Sequence, residues 1–197
     1  MSKIDNFNGT NNLSPFTQLI LDFKGKNLPD EQIQADYNNT LNYPNNYFVA
    51  PDRWHECFYT TSRKNMLLLS KGLENILRIK PPFNKFILIS LFQRINNFNS
   101  VSEQYATISP LSKKTYLIGG KGLAQGINLS NVEIIDFTDA GLENNWIIIA
   151  IANDEGCSLI AEEFKPSRYR GFFTTNRNLT NRCMNIIREL LNIEIDI

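Results

Sequence analysis

Cysteine, histidine and net charge are all scarce in this chain of 197 residues. Its three cysteines, Cys57, Cys157 and Cys183, form an odd set with no paired spacing. That excludes a disulfide framework and points to free thiols in a reducing compartment. His55 is the single histidine and no Cys-x-x-Cys occurs, so a structural zinc site has no ligand set and no metal is expected. Twenty Lys and Arg balance twenty Asp and Glu. A general nucleic-acid binder carries a basic excess, so nucleic acid is not an expected partner. The longest apolar run, Trp146 to Ala152, is far too short to span a bilayer. The opening residues lack the apolar stretch of a secretory signal. A cytoplasmic protein without a membrane span is the expectation.

What the chain does have is apolar material for one core: 42% of its residues are hydrophobic, and 13 are Phe. Residues 1–50 differ from the rest, being rich in Asn and broken by charges, Gly and Pro. They read as an N-terminal appendage with one or two short helices, followed by a domain over 51–197. Ser14-Pro15 opens one helix through Phe16, Leu19, Ile20 and Phe23. Pro29-Asp30 opens another through Ile33 and Tyr37. Asn42 to Asn46 reads as a linker.

The strongest helical pattern runs from about Thr61 to Ile79, with Met66, Leu69, Leu73, Ile76 and Leu77 spaced by three and four. Lys64, Lys71, Asn75 and Arg78 take its polar side, and Pro81-Pro82 stops it. Phe86 to Gln93 is an apolar strand of the kind buried on both faces. Ser100 and Glu103 have capping-box spacing before a short helix through Tyr105 and Ile108. Strands follow at Thr115 to Ile118 and Val132 to Phe137, then a hairpin of Trp146 to Ala152 with Cys157 to Phe164, then Tyr169 to Thr174. Asn176 or Asn178 caps a last helix through Leu179, Cys183, Ile187 and Leu191. The expected fold is α+β: a mixed, largely antiparallel central sheet of five to six strands with packed helices. These include a long helix before the first strand and a C-terminal helix.

Few constellations carry chemistry. The run from Gly119 to Gly126 misses both the dinucleotide and the P-loop spacing, and a strand follows it instead of a helix, so it reads as an interstrand loop. His55 and Cys57 are two residues apart and could pair as a nucleophile, but no third member is evident. Glu162 and Glu163 on a strand leave by opposite faces, so they cannot act as a close carboxylate pair. Arg168, Arg170 and Arg177 cluster around the last strand, where they meet either an anionic group or the nearby carboxylates. Aromatics such as Phe92, Tyr105, Trp146 and Tyr169 either line an apolar pocket or fill the core.

From about Arg63 to Leu191 the order of pieces resembles the DICT domain, a sensory domain of diguanylate cyclases and two-component systems. The pieces are Leu69-Ser70 with Glu74, then Phe92-Gln93, then Tyr105, then Glu143 to Trp146. Leu159 to Glu163 follows, and last comes Arg168-Tyr169-Arg170-Gly171-Phe172-Phe173-Thr174-Thr175-Asn176-Arg177. The chain departs from the family at Asn176, where members usually carry an acid, and at Asn144-Asn145 before Trp146. The resemblance implies a non-enzymatic cytoplasmic module that senses a signal or binds a protein. Its partner would be a two-component or cyclic-dinucleotide signalling protein, reached in trans through the appendage or as a homodimer. It brings no ligand or cofactor with it. Under that reading Gln93, Tyr105, Glu163, Arg170 and Arg177 are the expected ligand- or partner-binding residues. The competing readings are a small Cys57-dependent hydrolase or transferase, and a structural assembly subunit.

Overall fold

The computed structural model describes residues 13–40, 50–79, 85–120, 129–137 and 141–195. Among these, eight strands form one mixed sheet. In chain order they are β1 (Lys26–Asn27), β2 (Cys57–Ser62), β3 (Ile87–Phe92), β4 (Lys114–Gly119), β5 (Val132–Asp136), β6 (Asn145–Ile151), β7 (Gly156–Lys165) and β8 (Arg168–Thr174). Across the sheet the order is β1-β2-β8-β7-β6-β3-β4-β5. The contacts from β2 through β8, β7 and β6 to β3 are antiparallel. Those of β1 with β2, β3 with β4 and β4 with β5 are parallel. Five helices pack on this sheet: α1 (Pro15–Asp22), α2 (Asp30–Thr40), α3 (Arg63–Ile79), α4 (Ser102–Ile108) and α5 (Arg177–Leu191).

The α+β class holds, with two corrections. The sheet has eight strands instead of five or six. The long helix does not precede the first strand, because β1 and β2 come before α3 in the chain. The residues of β2, CFYTTS, alternate between buried and more exposed positions. Phe58, Tyr59, Thr60 and Thr61 are aromatic or β-branched, so the helical pattern starts only at Arg63, after a strand. β1 is two residues long and shows no periodicity of its own.

Strands that are apolar on both faces build two cores. Leu88, Ile148, Leu159 and Tyr59 face α3 and α4, together with Met66, Leu69 and Leu73 of α3. Ile87, Ile89, Ile147, Ile149, Ile160 and Phe172 face the other way, against Phe16 and Ile20 of α1 and Cys183 and Ile187 of α5. Successive residues of one strand thus enter different cores, as the two-residue repeat requires. Ile33 of α2 joins the α3 side.

Both N-terminal helices form where expected, and Ser14 caps α1 by accepting from the Thr17 amide at 3.1 Å. Asn176 caps α5 through the Leu179 amide, also at 3.1 Å. The capping box at Ser100 does not form. Residues Ile95–Ser100 make a 3-10 turn, Ser100 donates to the Asn97 carbonyl, and α4 starts at Ser102 behind Val101. Asn75, expected on the polar side of the long helix, is buried. The expected linker at Asn42 to Asn46, the stop at Pro81-Pro82 and the glycine-rich run beyond Gly120 lie outside the described residues. Among the described residues no helix is long and apolar enough to cross a membrane.

The strand registers bring one set of ends together. The end of β3 at Phe92, the start of β6 at Trp146, the end of β7 at Glu163, the start of β8 and the end of β2 share one rim. Most of the expected site residues lie there.

Candidate functional site

On the α3 side of this rim a groove opens between α3, α4 and the starts of the loops that follow β3 and precede β6. Its inner part, with about 30 Å³ of enclosed space, is lined by Leu67, Ser70, Lys71 and Glu74 of α3, with Ser90, Phe92, Tyr105 and Trp146 opposite. Its outer part, with about 40 Å³ of enclosed space, shares Leu67, Phe92, Val101 and Trp146 and adds Arg63, Gln93, Asn97 and Ser100. Arg63, Leu67, Ser70, Lys71 and Glu74 recur at spacings of three and four, which puts them on one stripe of the helix. The aromatic wall is rigid: the rings of Phe92, Phe98 and Tyr105 pack edge-on with centroids 5.4–6.0 Å apart. Trp146 stands edge-on to Tyr169, 5.8 Å away.

At the floor lies a buried polar chain. Tyr105 Oη is 2.9 Å from Glu74 Oε1 and 2.6 Å from Ser90 Oγ, and Gln104 Nε2 donates to Glu74 Oε2 at 2.6 Å. Burial pushes the Glu74 carboxyl up to about 7, against the pull of the Tyr105 hydrogen bond and the Lys71 charge. The same burial, together with the charge of Glu74, raises the Tyr105 phenol well above its ordinary value. A phenol has one proton to give and here has two neighbours. With Glu74 ionised, Tyr105 donates to the carboxylate and receives from Ser90. With Glu74 protonated, the carboxyl donates to the phenol and the phenol donates to Ser90. The chain therefore has two hydrogen-bonded states separated by one proton near neutral pH.

At the mouth, Glu163 accepts from Gln93 Nε2 at 2.9 Å, from the Ser167 amide at 2.6 Å and from Tyr169 Oη at 3.2 Å. Burial works to raise its pKa, but these donors and the charge of Arg63 prevail and hold it below the usual carboxylate value. Gln93 and Tyr105 thus line one groove, and Glu163 is bonded to Gln93 without lining it.

Arg170 and Arg177 are elsewhere. Arg170 crosses β8 to β7 and holds Glu162 on the opposite face of the sheet, 2.5 Å from Oε1, while Thr17 of α1 donates to the other oxygen of Glu162. Arg177 begins α5 beyond the far end of β8, and its buried Nε has no hydrogen-bond partner among the described residues. Arg168 lies 3.6 Å from Asp30 of α2.

The Cys57 and His55 pair is not arranged for nucleophilic attack. The Cys57 thiol points at the carbonyl oxygens of Arg53 and His55, 3.1 and 3.8 Å away. The His55 ring stacks on Phe173 at 5.8 Å. Burial raises the Cys57 thiol above its ordinary pKa; the Lys26 charge opposes this and the Glu56 charge adds to it. Burial pushes Cys183 up to about 12.

The sequence gives no signal for Arg63, Leu67 or Ser90, offers Trp146 only as an aromatic of pocket or core, and shows Glu74 only within the resembling stretch. One signal was available for Glu74: an acid placed four residues after Ser70, on the edge of an apolar helix stripe, is poorly placed for solvent. Ser90 carried no signal, because a lone serine in an apolar strand gives no indication of a partner 15 residues away.

Fold and groove together define an α+β domain with a partly apolar cleft over one face of its sheet. No family model matches the chain, and no curated protein is similar to it. Among solved structures, the polyphosphate kinase of Porphyromonas gingivalis shares 13% identity at a TM-score of 0.48, over 68% of this chain. The chain spans 23% of that protein's length. A likeness this slight carries no functional argument.

Proposed function

We propose that this chain is a non-enzymatic cytoplasmic sensory or interaction domain of the DICT kind. It receives a small-molecule signal in the groove under α3 and acts in trans on a two-component or cyclic-dinucleotide signalling protein. One observation carries the reading. Gln93 and Tyr105, expected from the resemblance, line a single cleft with Glu74, another residue of the resembling stretch, and Glu163 supports Gln93 from behind. A cleft that is mostly apolar with a few convergent polar groups has the lining of a small-molecule site.

The mechanism is a population shift. Glu74 ties α3 to α4 through Tyr105 and Gln104, and to β3 through Tyr105 and Ser90. An occupant that favours one protonation state of Glu74, or displaces Gln104, changes how α4 sits on α3, and a partner reads that change. The Cys-dependent enzyme has less support, because its thiol faces main-chain carbonyls and its pKa is raised where a nucleophile needs it lowered.

Trp146 is one of only two tryptophans and lines the groove, while Trp54 is buried beside Asp36. Adding the small-molecule fraction of a host-cell extract should therefore shift the protein's fluorescence, and Trp146→Phe should remove that shift. A shift that persists in Trp146→Phe places the site elsewhere. No shift at all removes the sensory reading.

A further inference from the structure

We propose that the groove takes a small organic carboxylate with an apolar, ring-sized body, its carboxylate held by Arg63 and its body packed against Phe92, Val101 and Trp146. This rests on the reading of the groove as the ligand site and adds the chemical class of the ligand.

The charge pattern of the rim decides the sign. Arg63 opens α3, lines the outer groove and enters no hydrogen bond or ion pair with its guanidinium among the described residues. Of the arginines near this rim, Arg168 lies near Asp30 and Arg170 pairs with Glu162, while Arg94 follows Gln93 and does not line the groove. Glu163 feels the Arg63 charge, but its oxygens already accept from Gln93, Tyr169 and the Ser167 amide. The first turn of α3 contains no acid, so the positive end of the helix is not neutralised there. Lys71 lines the inner part of the same groove. The groove lining thus carries Arg63 and Lys71 against the single, hydrogen-bonded carboxyl of Glu74, and Glu163 lines neither part.

An unengaged guanidinium offers a planar fork of donors that matches a carboxylate. The carboxamide of Asn97 stands on the same outer wall. Further in, both oxygens of Glu74 are taken by Tyr105 and Gln104, so the floor presents a satisfied and largely apolar surface. The enclosed space is small, about 30 Å³ in the inner part and about 40 Å³ in the outer, which limits the body to a single ring or a short branched chain lying largely in the open part of the groove.

The test compares three probes with one body, 3-phenylpropanoate, 3-phenylpropanamide and 3-phenylpropylamine, titrated calorimetrically into the full chain. The carboxylate is expected to bind about tenfold or more tighter than the amide, the gain of a charge-assisted pair over a neutral one, with the amine weakest. Arg63→Gln should bring the carboxylate down to the level of the amide, and Arg63→Lys should keep part of the preference. Arg182→Gln, on the exposed side of α5, should change nothing. Val101→Trp should fill the groove and abolish binding of all three. Equal affinities for carboxylate and amide, or a carboxylate indifferent to Arg63→Gln, overturn the carboxylate assignment. The sensory groove itself survives that result if Val101→Trp still blocks the bound probe. Absence of binding by every probe also overturns the assignment, and the Trp146 fluorescence experiment then decides the groove separately.

Discussion

Glu162 and Glu163 are neighbours on β7, yet their surroundings differ as the two faces of the sheet differ. Glu162 turns toward α1, where Arg170 and Thr17 engage its two oxygens and its side chain keeps only 10% of its exposure. Glu163 turns toward the groove, where its partners are a flexible amide, a main-chain amide and a phenol at the mouth of an open cleft. The α1 and α5 face is closed by aliphatic side chains from both helices. The α3 and α4 face encloses a second core but also holds a carboxyl poised near neutrality and a cleft beside it. One face is closed by its helices, and the other leaves a groove beside a buried carboxyl.

The largest expected effect falls on what both faces share. Gly171 of β8 lies opposite Tyr59 of β2 and Ala161 of β7, and Tyr59 reaches across β8 to donate to the Ile160 carbonyl at 3.1 Å. A Cβ at Gly171 would collide with that same Ile160 carbonyl oxygen. Gly171→Ala should therefore cost about 3 kcal/mol or more in urea unfolding, because the obstacle is backbone.

Next comes the poised carboxyl. Glu74 binds its proton more tightly in the folded protein, at about 7, than at its ordinary 4.5. Its contribution to stability is full below 4.5 and is lost as pH rises through about 7. Glu74→Gln removes this slope. Relative to wild type it should gain up to about 2 to 3 kcal/mol at pH 8 and almost nothing at pH 4. Unfolding curves at several pH values measure this; a difference independent of pH means that Glu74 does not titrate there.

On the closed face, Glu162→Ala leaves Arg170 without its carboxylate and should cost about 2 kcal/mol, less than a fully buried pair because Arg170 is partly exposed. On the open face, Glu163→Gln should cost under about 1 kcal/mol. If the two losses prove equal, the contrast between the faces fails. The smallest effect is chemical: Cys57 should alkylate in the native protein no faster than unfolding exposes it, as a mass-resolved time course would show.

Most of this fold was legible in the sequence. Long apolar strands, the α3 stripe and the Ser14 and Asn176 caps are local patterns, and local patterns identify local structure. β2 was hidden because its six residues run straight into a stronger helical signal, and β1 because two residues have no period. Of the five expected site residues, Gln93 and Tyr105 line the groove and Glu163 is bonded to Gln93, while Arg170 and Arg177 lie elsewhere. Strand parity sends Arg170 to the closed face beside Glu162, and chain direction carries Arg177 past the far end of β8. Arg63 and Trp146 come together only through pairing across the sheet, which no spacing along the chain expresses.

The most direct measurement is native mass spectrometry of the protein purified from the cells that make it, beside Val101→Trp prepared identically. The account predicts a small non-covalent mass on the wild-type chain, lost on denaturation and absent from Val101→Trp. A bare chain in both preparations, or a mass that Val101→Trp retains, would contradict it.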